Sequence, residues 1–68
     1  MSRATSVGDL PKAIGRPATN AFALAGLTRL DQFTSVREAD LLRLHGVGPK
    51  AIEAIRRALA EQGRSFAD

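Results

Sequence analysis

The sequence predicts an all-α fold, a compact domain of roughly four to five short helices. Three observations carry that expectation. Apolar residues recur at three- and four-residue spacing, and no segment shows the strict alternation of a half-buried strand. Much of the 44% hydrophobic fraction is alanine, the strongest helix former, whose small side chain lets helices approach closely. Glycine and proline fall between the periodic runs, where helices stop and start. The 68 residues fit one small domain, read as residues 7–68 behind a flexible, polar N-terminus at 1–6.

Each element has a local reason. Val7 and Leu10 are expected to pack as a lid on the core, and Pro11 restricts that segment to a single turn or an extended arm. Ala18, Ala21, Phe22 and Ala25 share one helical face, so a helix is expected from about Pro17 to Ala25, with Gly26 as its stop. Thr28, with Asp31 three residues on, signals the start of a short helix that turns Leu30 and Phe33 inward. Ser35-Val36-Arg37-Glu38 reads as a capping box ahead of a helix from about Val36 to Leu44. The last helix opens at Pro49, whose missing N–H costs nothing at a first helical position. Ile52, Ile55, Leu59 and Gln62 form its apolar stripe, widened by Ala51 and Ala58. Gly63 is its stop, and Phe66 folds back as a core plug. Glu53 and Arg57 form a favourably ordered i, i+4 pair.

The chain contains a loose repeat. With Gly15 placed over Gly48, an offset of 33, Ala18 meets Ala51, Ala21 meets Ala54, Phe22 meets Ile55 and Ala25 meets Ala58. Two copies are too few for a solenoid. They suit a pseudo-twofold pair with both helix N-termini on one side.

The stretch His45-Gly46-Val47-Gly48-Pro49-Lys50-Ala51 carries the candidate chemistry. Gly46 and Gly48 permit a tight turn and close backbone approach, and Val47 between them turns inward. The N–H groups of Gly48, Lys50 and Ala51 open the last helix without intrahelical acceptors. A helix N-terminus attracts anions, and Lys50 adds a full positive charge. The natural anion is a phosphate. Arg16 stands beside the first glycine turn, Asn20 one turn into its helix can contact a ligand or cap a neighbouring loop, and Lys12 is expected near the same surface. Arg56 and Arg57 read as a solvated face, and His45 as a helix C-terminal residue favoured by the dipole.

Composition excludes several classes. The chain has no cysteine, so it has neither disulfides nor thiolate metal sites. No apolar run approaches the length of a membrane span, and no signal-peptide core is present. One histidine and seven acids, without a carboxylate pair around a pocket, give catalysis and metal binding no support. Three phenylalanines and no tyrosine or tryptophan are a poor stacking platform for single strands. The formal net charge of +3 and pI near 10.7 are compatible with a nucleic-acid partner.

Gly46-Val47-Gly48-Pro49-Lys50-Ala51-Ile52 resembles the hairpin of the helix-hairpin-helix family, whose members bind DNA through hairpin amides and a basic residue. Over Asp9–Phe66 the chain is similar to a narrower relative, the C-terminal domain of bacterial RNA polymerase α subunits. The residues that carry this are Ala18-Thr19-Asn20-Ala21-Phe22, Ala25-Gly26-Leu27, Leu30-Asp31-Gln32-Phe33, Glu38-Ala39-Asp40-Leu41-Leu42 and Gly48-Pro49-Lys50-Ala51-Ile52. The resemblance implies a SAM-like, helix-hairpin-helix fold that binds A·T-rich minor grooves and touches transcription factors. It implies roles for Asn20, Gly48 and Lys50. Where the family has a serine after the lysine, this chain has Ala51. Where the family has its minor-groove arginine, this chain has Pro17, with Arg16 one step earlier. The chain is thus expected to be a free-standing relative or an excised module that keeps general duplex binding.

The expected function is a non-catalytic, double-stranded-DNA-binding module with weak sequence preference, transcription-related in flavour. It would work as a monomer in the cytoplasm, at the nucleoid if bacterial. No cofactor is expected beyond the monovalent cation that the family's hairpin carbonyls can hold. The alternative is a SAM-like protein-interaction adaptor; structured RNA is a third reading. A basic surface joining Arg16 and Lys50 favours DNA, and an exposed apolar patch favours the adaptor.

Overall fold

The computed structural model describes residues 10–67. Residues 1–6 and Val7 of the expected lid lie outside them. The described chain is all helical: a 3₁₀ turn at Lys12–Ile14, α1 at Arg16–Leu24, a second 3₁₀ helix at Leu30–Ser35, α2 at Glu38–Leu42 and α3 at Pro49–Glu61. No strand occurs among the described residues.

α3 is the longest helix and supplies four of the core residues. It contacts both 3₁₀ helices and α2. Its inner stripe is Ala51, Ile52, Ile55 and Leu59, all buried, as helical spacing requires. These meet Ile14, Ala18, Phe22, Leu30, Phe33, Leu41 and Phe66 in one core, and Leu10, Leu27, Val36, Leu44 and Val47 pack at its edge. The Phe22 and Phe33 rings stand edge to face, with centroids 5.0 Å apart and planes at 83°. Such pairs add about 0.5–1.5 kcal/mol beyond the area they bury. No polar or charged side chain is buried among the described residues. Phe66 plugs the core as expected, and the Ala67 N–H donates to the Val36 carbonyl at 2.9 Å, fastening the chain end.

Both longer helices stop in the same way. At α1 the Gly26 N–H donates to Ala23 O and the Leu27 N–H to Phe22 O; at α3 the Gly63 N–H donates to Ala60 O and the Arg64 N–H to Leu59 O. This paired pattern past a left-handed glycine satisfies carbonyls that a helix end otherwise leaves open.

Several expected boundaries move. Ala25 is the C-cap of α1, one residue before Gly26. Gln62 caps α3 and is exposed, so it leaves the apolar stripe. Thr28 does not start the second 3₁₀ helix. The Gln32 side-chain oxygen reaches back and accepts from the Thr28 and Arg29 amides, at 2.8 Å each. The Ser35–Glu38 capping box is not formed. The 3₁₀ helix runs through Ser35, Val36 is extended, and α2 starts only at Glu38, without a side-chain cap bond. Val36 is held extended because its carbonyl receives the Ala67 N–H and its side chain packs on the core.

The repeat holds in burial. Ala18 and Ala51 are buried, as are Phe22 and Ile55, while Ala21 and Ala54 are half-buried. It ends at Ala25, which is exposed, whereas Ala58 is half-buried within α3. α3 has thirteen residues against nine in α1, about one turn more.

Candidate nucleic-acid interface

The loop between α2 and α3 is built inward from Val47. Its N–H donates to Leu44 O at 3.2 Å, and its side chain packs against the core. Gly46 turns the chain with φ +93°, and a Cβ there would lie 3.2 Å from the Pro17 carbonyl oxygen. Pro17 stands in the first turn of α1. The α2–α3 loop therefore rests directly on the start of α1.

Gly48 corrects the expectation that the turn needs both glycines. It is the N-cap of α3 with φ −122° and ψ −180°, ordinary extended backbone. A Cβ there would meet nothing within 4 Å. Neither conformation nor packing requires glycine at this position.

The amides that open both helices are available. Gly48, Lys50 and Ala51, and likewise Arg16 and Ala18, donate to no backbone acceptor among the described residues, and neither helix has a side-chain cap bond. Ala51 is 4% exposed, so only its backbone can take part in a contact. The carbonyls of His45, Gly46 and Val47 accept no such N–H, so the loop keeps the oxygen donors a monovalent cation would need. No group of three or more His, Cys, Asp and Glu that could hold a metal occurs among the described residues, and no helix there is long and apolar enough to cross a membrane.

Arg16 and Asn20 are exposed and share one face of α1 at i, i+4. Lys12 lies further round, in a 440 Å³ groove with Thr19, Ala23 and Leu27. Lys50 lines a second groove, of 490 Å³, between Pro11, Ala13 and α3, in company with Glu53, Arg57 and Glu61. Pro11 borders both grooves, so the two lysines flank it on separate sides.

Charge is segregated along the chain. Residues 10–30 and 41–52 carry Lys12, Arg16, Arg29, Arg43 and Lys50 and no Asp or Glu. Among the described residues none of Lys12, Arg16, Arg43 and Lys50 enters an ion pair. Asp31, Glu38 and Glu53 pair with other cations, Arg29, Arg56 and Arg57. Arg56 is not simply solvated: it bridges Glu38 on α2, at 2.6 Å, and Glu53 on its own helix. The hydrogen bond to Glu38 raises the Arg56 pKa most; burial opposes the rise, and the charges of Glu38 and Glu53 add to it. Arg57 lies 3.5 Å from Glu53 with its side chain 79% exposed. His45 stands in the loop, three residues beyond the end of α2, and not in a last helical turn.

Sequence reasoning missed Leu24, which is 91% exposed. It borders a 230 Å³ groove with Ala21, Ala25, Leu44 and His45. The signal was present: Leu24 continues the Arg16–Asn20 stripe at i+8, on the face turned away from Phe22. No protein-family model, curated protein or solved structure matches this chain.

Proposed function

We propose that this chain is a non-catalytic module that binds double-stranded DNA, gripping phosphates from the minor-groove side with weak sequence preference. The single observation that carries the reading is the seating of Gly46 on Pro17. It joins two helix starts with open amides, one beside Arg16 and one beside Lys50, within segments that hold no carboxylate. Phosphate is the anion that such an arrangement suits, and a duplex offers it at regular spacing.

Gly48 adds a second line of support. Serine or aspartate would cap α3 better than glycine does. Glycine in open space, where the fold makes no demand, fits a backbone that must come close to a ligand. Arg16, Asn20, Gly46, Gly48, Lys50 and the Ala51 amide form the proposed contact set, with Lys12 at its margin. The hairpin and its lysine support a helix-hairpin-helix, SAM-like assignment and a role near transcription. Pro17 in place of the family arginine argues for general over A·T-specific binding. If about four phosphates are neutralised, the log–log salt slope is roughly −3.6.

The test is a titration of isotope-labelled protein with short A·T-rich and G·C-rich duplexes at two salt concentrations. The Gly15–Asn20 and Gly46–Ala51 amides are expected to shift together, and less at high salt. Amides that stay still at millimolar duplex and low salt would refute the proposal.

A further inference from the structure

We infer that the groove beside α3 is a self-association surface, which takes the same face of a second copy of this chain in antiparallel register. The charges of the groove carry the inference. Lys50, Glu53, Arg57 and Glu61 all line it, so plus, minus, plus and minus follow one another along α3. Helical spacing keeps the four on one face, away from the buried Ile52, Ile55 and Leu59. The middle pair is met within the chain, where Arg57 lies 3.5 Å from Glu53. The end charges are not: among the described residues neither Lys50 nor Glu61 enters an ion pair. They stand about 16 Å apart along the helix axis.

These open ends select the occupant. In a twofold-symmetric pair, a contact from residue i to residue j is repeated from j to i. With the two α3 helices antiparallel, each Lys50 faces Glu61 of the other copy, so both unpaired charges are met at once. A parallel pair would set Lys50 on Lys50 and Glu61 on Glu61, which repels. The remaining charges nearby leave the pattern intact. Arg56 is turned to Glu38 and Glu53, Lys12 borders the other groove, and Arg64 follows the end of α3 outside the lining. Half-buried Ala54 and Ala58 are small, so a second helix can come close and cover apolar surface between the charges. One face of a 13-residue helix is less than the about 800 Å² per partner of a standard interface, so the dimer belongs to the weak, transient class.

The inference shares Lys50 with the duplex reading but is tested without DNA, so either can fail alone. Labelled full-length protein is diluted from millimolar to micromolar concentration, and amide shifts and sedimentation are followed. Physiological salt is used, where screening over about 8 Å mutes the repulsion between two net positive chains. The expected result is a concentration-dependent dimer, with shifts of the Lys50, Glu53, Ala54, Arg57 and Glu61 amides. Lys50→Glu and Glu61→Lys are each expected to weaken it about tenfold, because symmetry places two like-charge contacts in every dimer. Both positions are exposed and both changes suit the helix dipole, so the variants stay folded. The double variant has the wild-type net charge and reinstates both contacts with the signs exchanged, so its dimer returns. A wild type that stays monomeric at millimolar concentration overturns the proposal. So does tighter association of Lys50→Glu, the result expected if net charge alone governs. A double variant as weak as the single ones overturns it too.

Discussion

Gly46 is held against Pro17: its φ is +93°, and a Cβ would stand 3.2 Å from the Pro17 carbonyl oxygen. Both features penalise any side chain. The left-handed backbone costs an L-residue about 1–2 kcal/mol, and the carbonyl belongs to a helix start that cannot easily yield. Gly46→Ala is therefore expected to destabilise the domain by about 1–3 kcal/mol. At about 4–8 °C per kcal/mol for a chain of this size, calorimetry resolves the change. An unchanged Tm would mean that the loop does not rest on α1 as described.

Gly48 is the contrasting case. Its backbone is ordinary and its surroundings are open. Gly48→Ser is expected to hold stability or raise it by a few tenths of a kcal/mol, because serine caps a helix slightly better than glycine. The same substitution is expected to weaken duplex binding by keeping phosphate off the amides. Thermal unfolding beside a fluorescence titration separates the two effects. A variant that binds as well as wild type would remove Gly48 from the contact set.

The Gln32 carboxamide tests which residue starts the second 3₁₀ helix. Its oxygen accepts from both the Thr28 and Arg29 amides. Gln32→Ala is expected to cost about 0.5–2 kcal/mol, the usual range for a lost cap, and Thr28→Ala almost nothing. Chemical denaturation of the two variants decides between them. The reverse order would restore Thr28 as the cap.

That reversal of roles shows where the sequence was legible. The core was: Phe22, Ile52, Ile55 and Leu59 lie where periodicity put them, because within a helix burial follows the spacing of the apolar stripe, while Ala25 and Gln62 fall past the helix ends and leave it. Both glycine stops were visible because a left-handed position has a strong residue preference. The starts of the shorter elements were not. Thr28 and Ser35 are sound cap residues, but which amide is capped depends on tertiary partners such as the Ala67 N–H on Val36. At the site, the loop and its lysine were legible, whereas the contact of Gly46 with Pro17 and the exposure of Leu24 depend on how α1 lies against the loop.

The charge arrangement gives the last test of the duplex reading. Lys50 stands in the first turn of α3, where a cation is mildly unfavourable, and Arg16 opens α1. Lys50→Gln is expected to raise stability by up to about 0.3–1 kcal/mol while weakening duplex binding. For each of Lys50→Gln and Arg16→Gln the salt slope should fall by about 0.9, the share of one phosphate contact. Arg57→Gln is the control: its side chain is paired with Glu53 and stands two turns along α3 from Lys50, in the same groove but beyond the open helix start, and the slope should stay as in wild type. Binding isotherms at four or more salt concentrations, repeated on A·T-rich and G·C-rich duplexes, give all three slopes. If Arg57→Gln lowers the slope as much as Lys50→Gln does, the duplex is held by net charge alone and the paired helix starts have no special part in it.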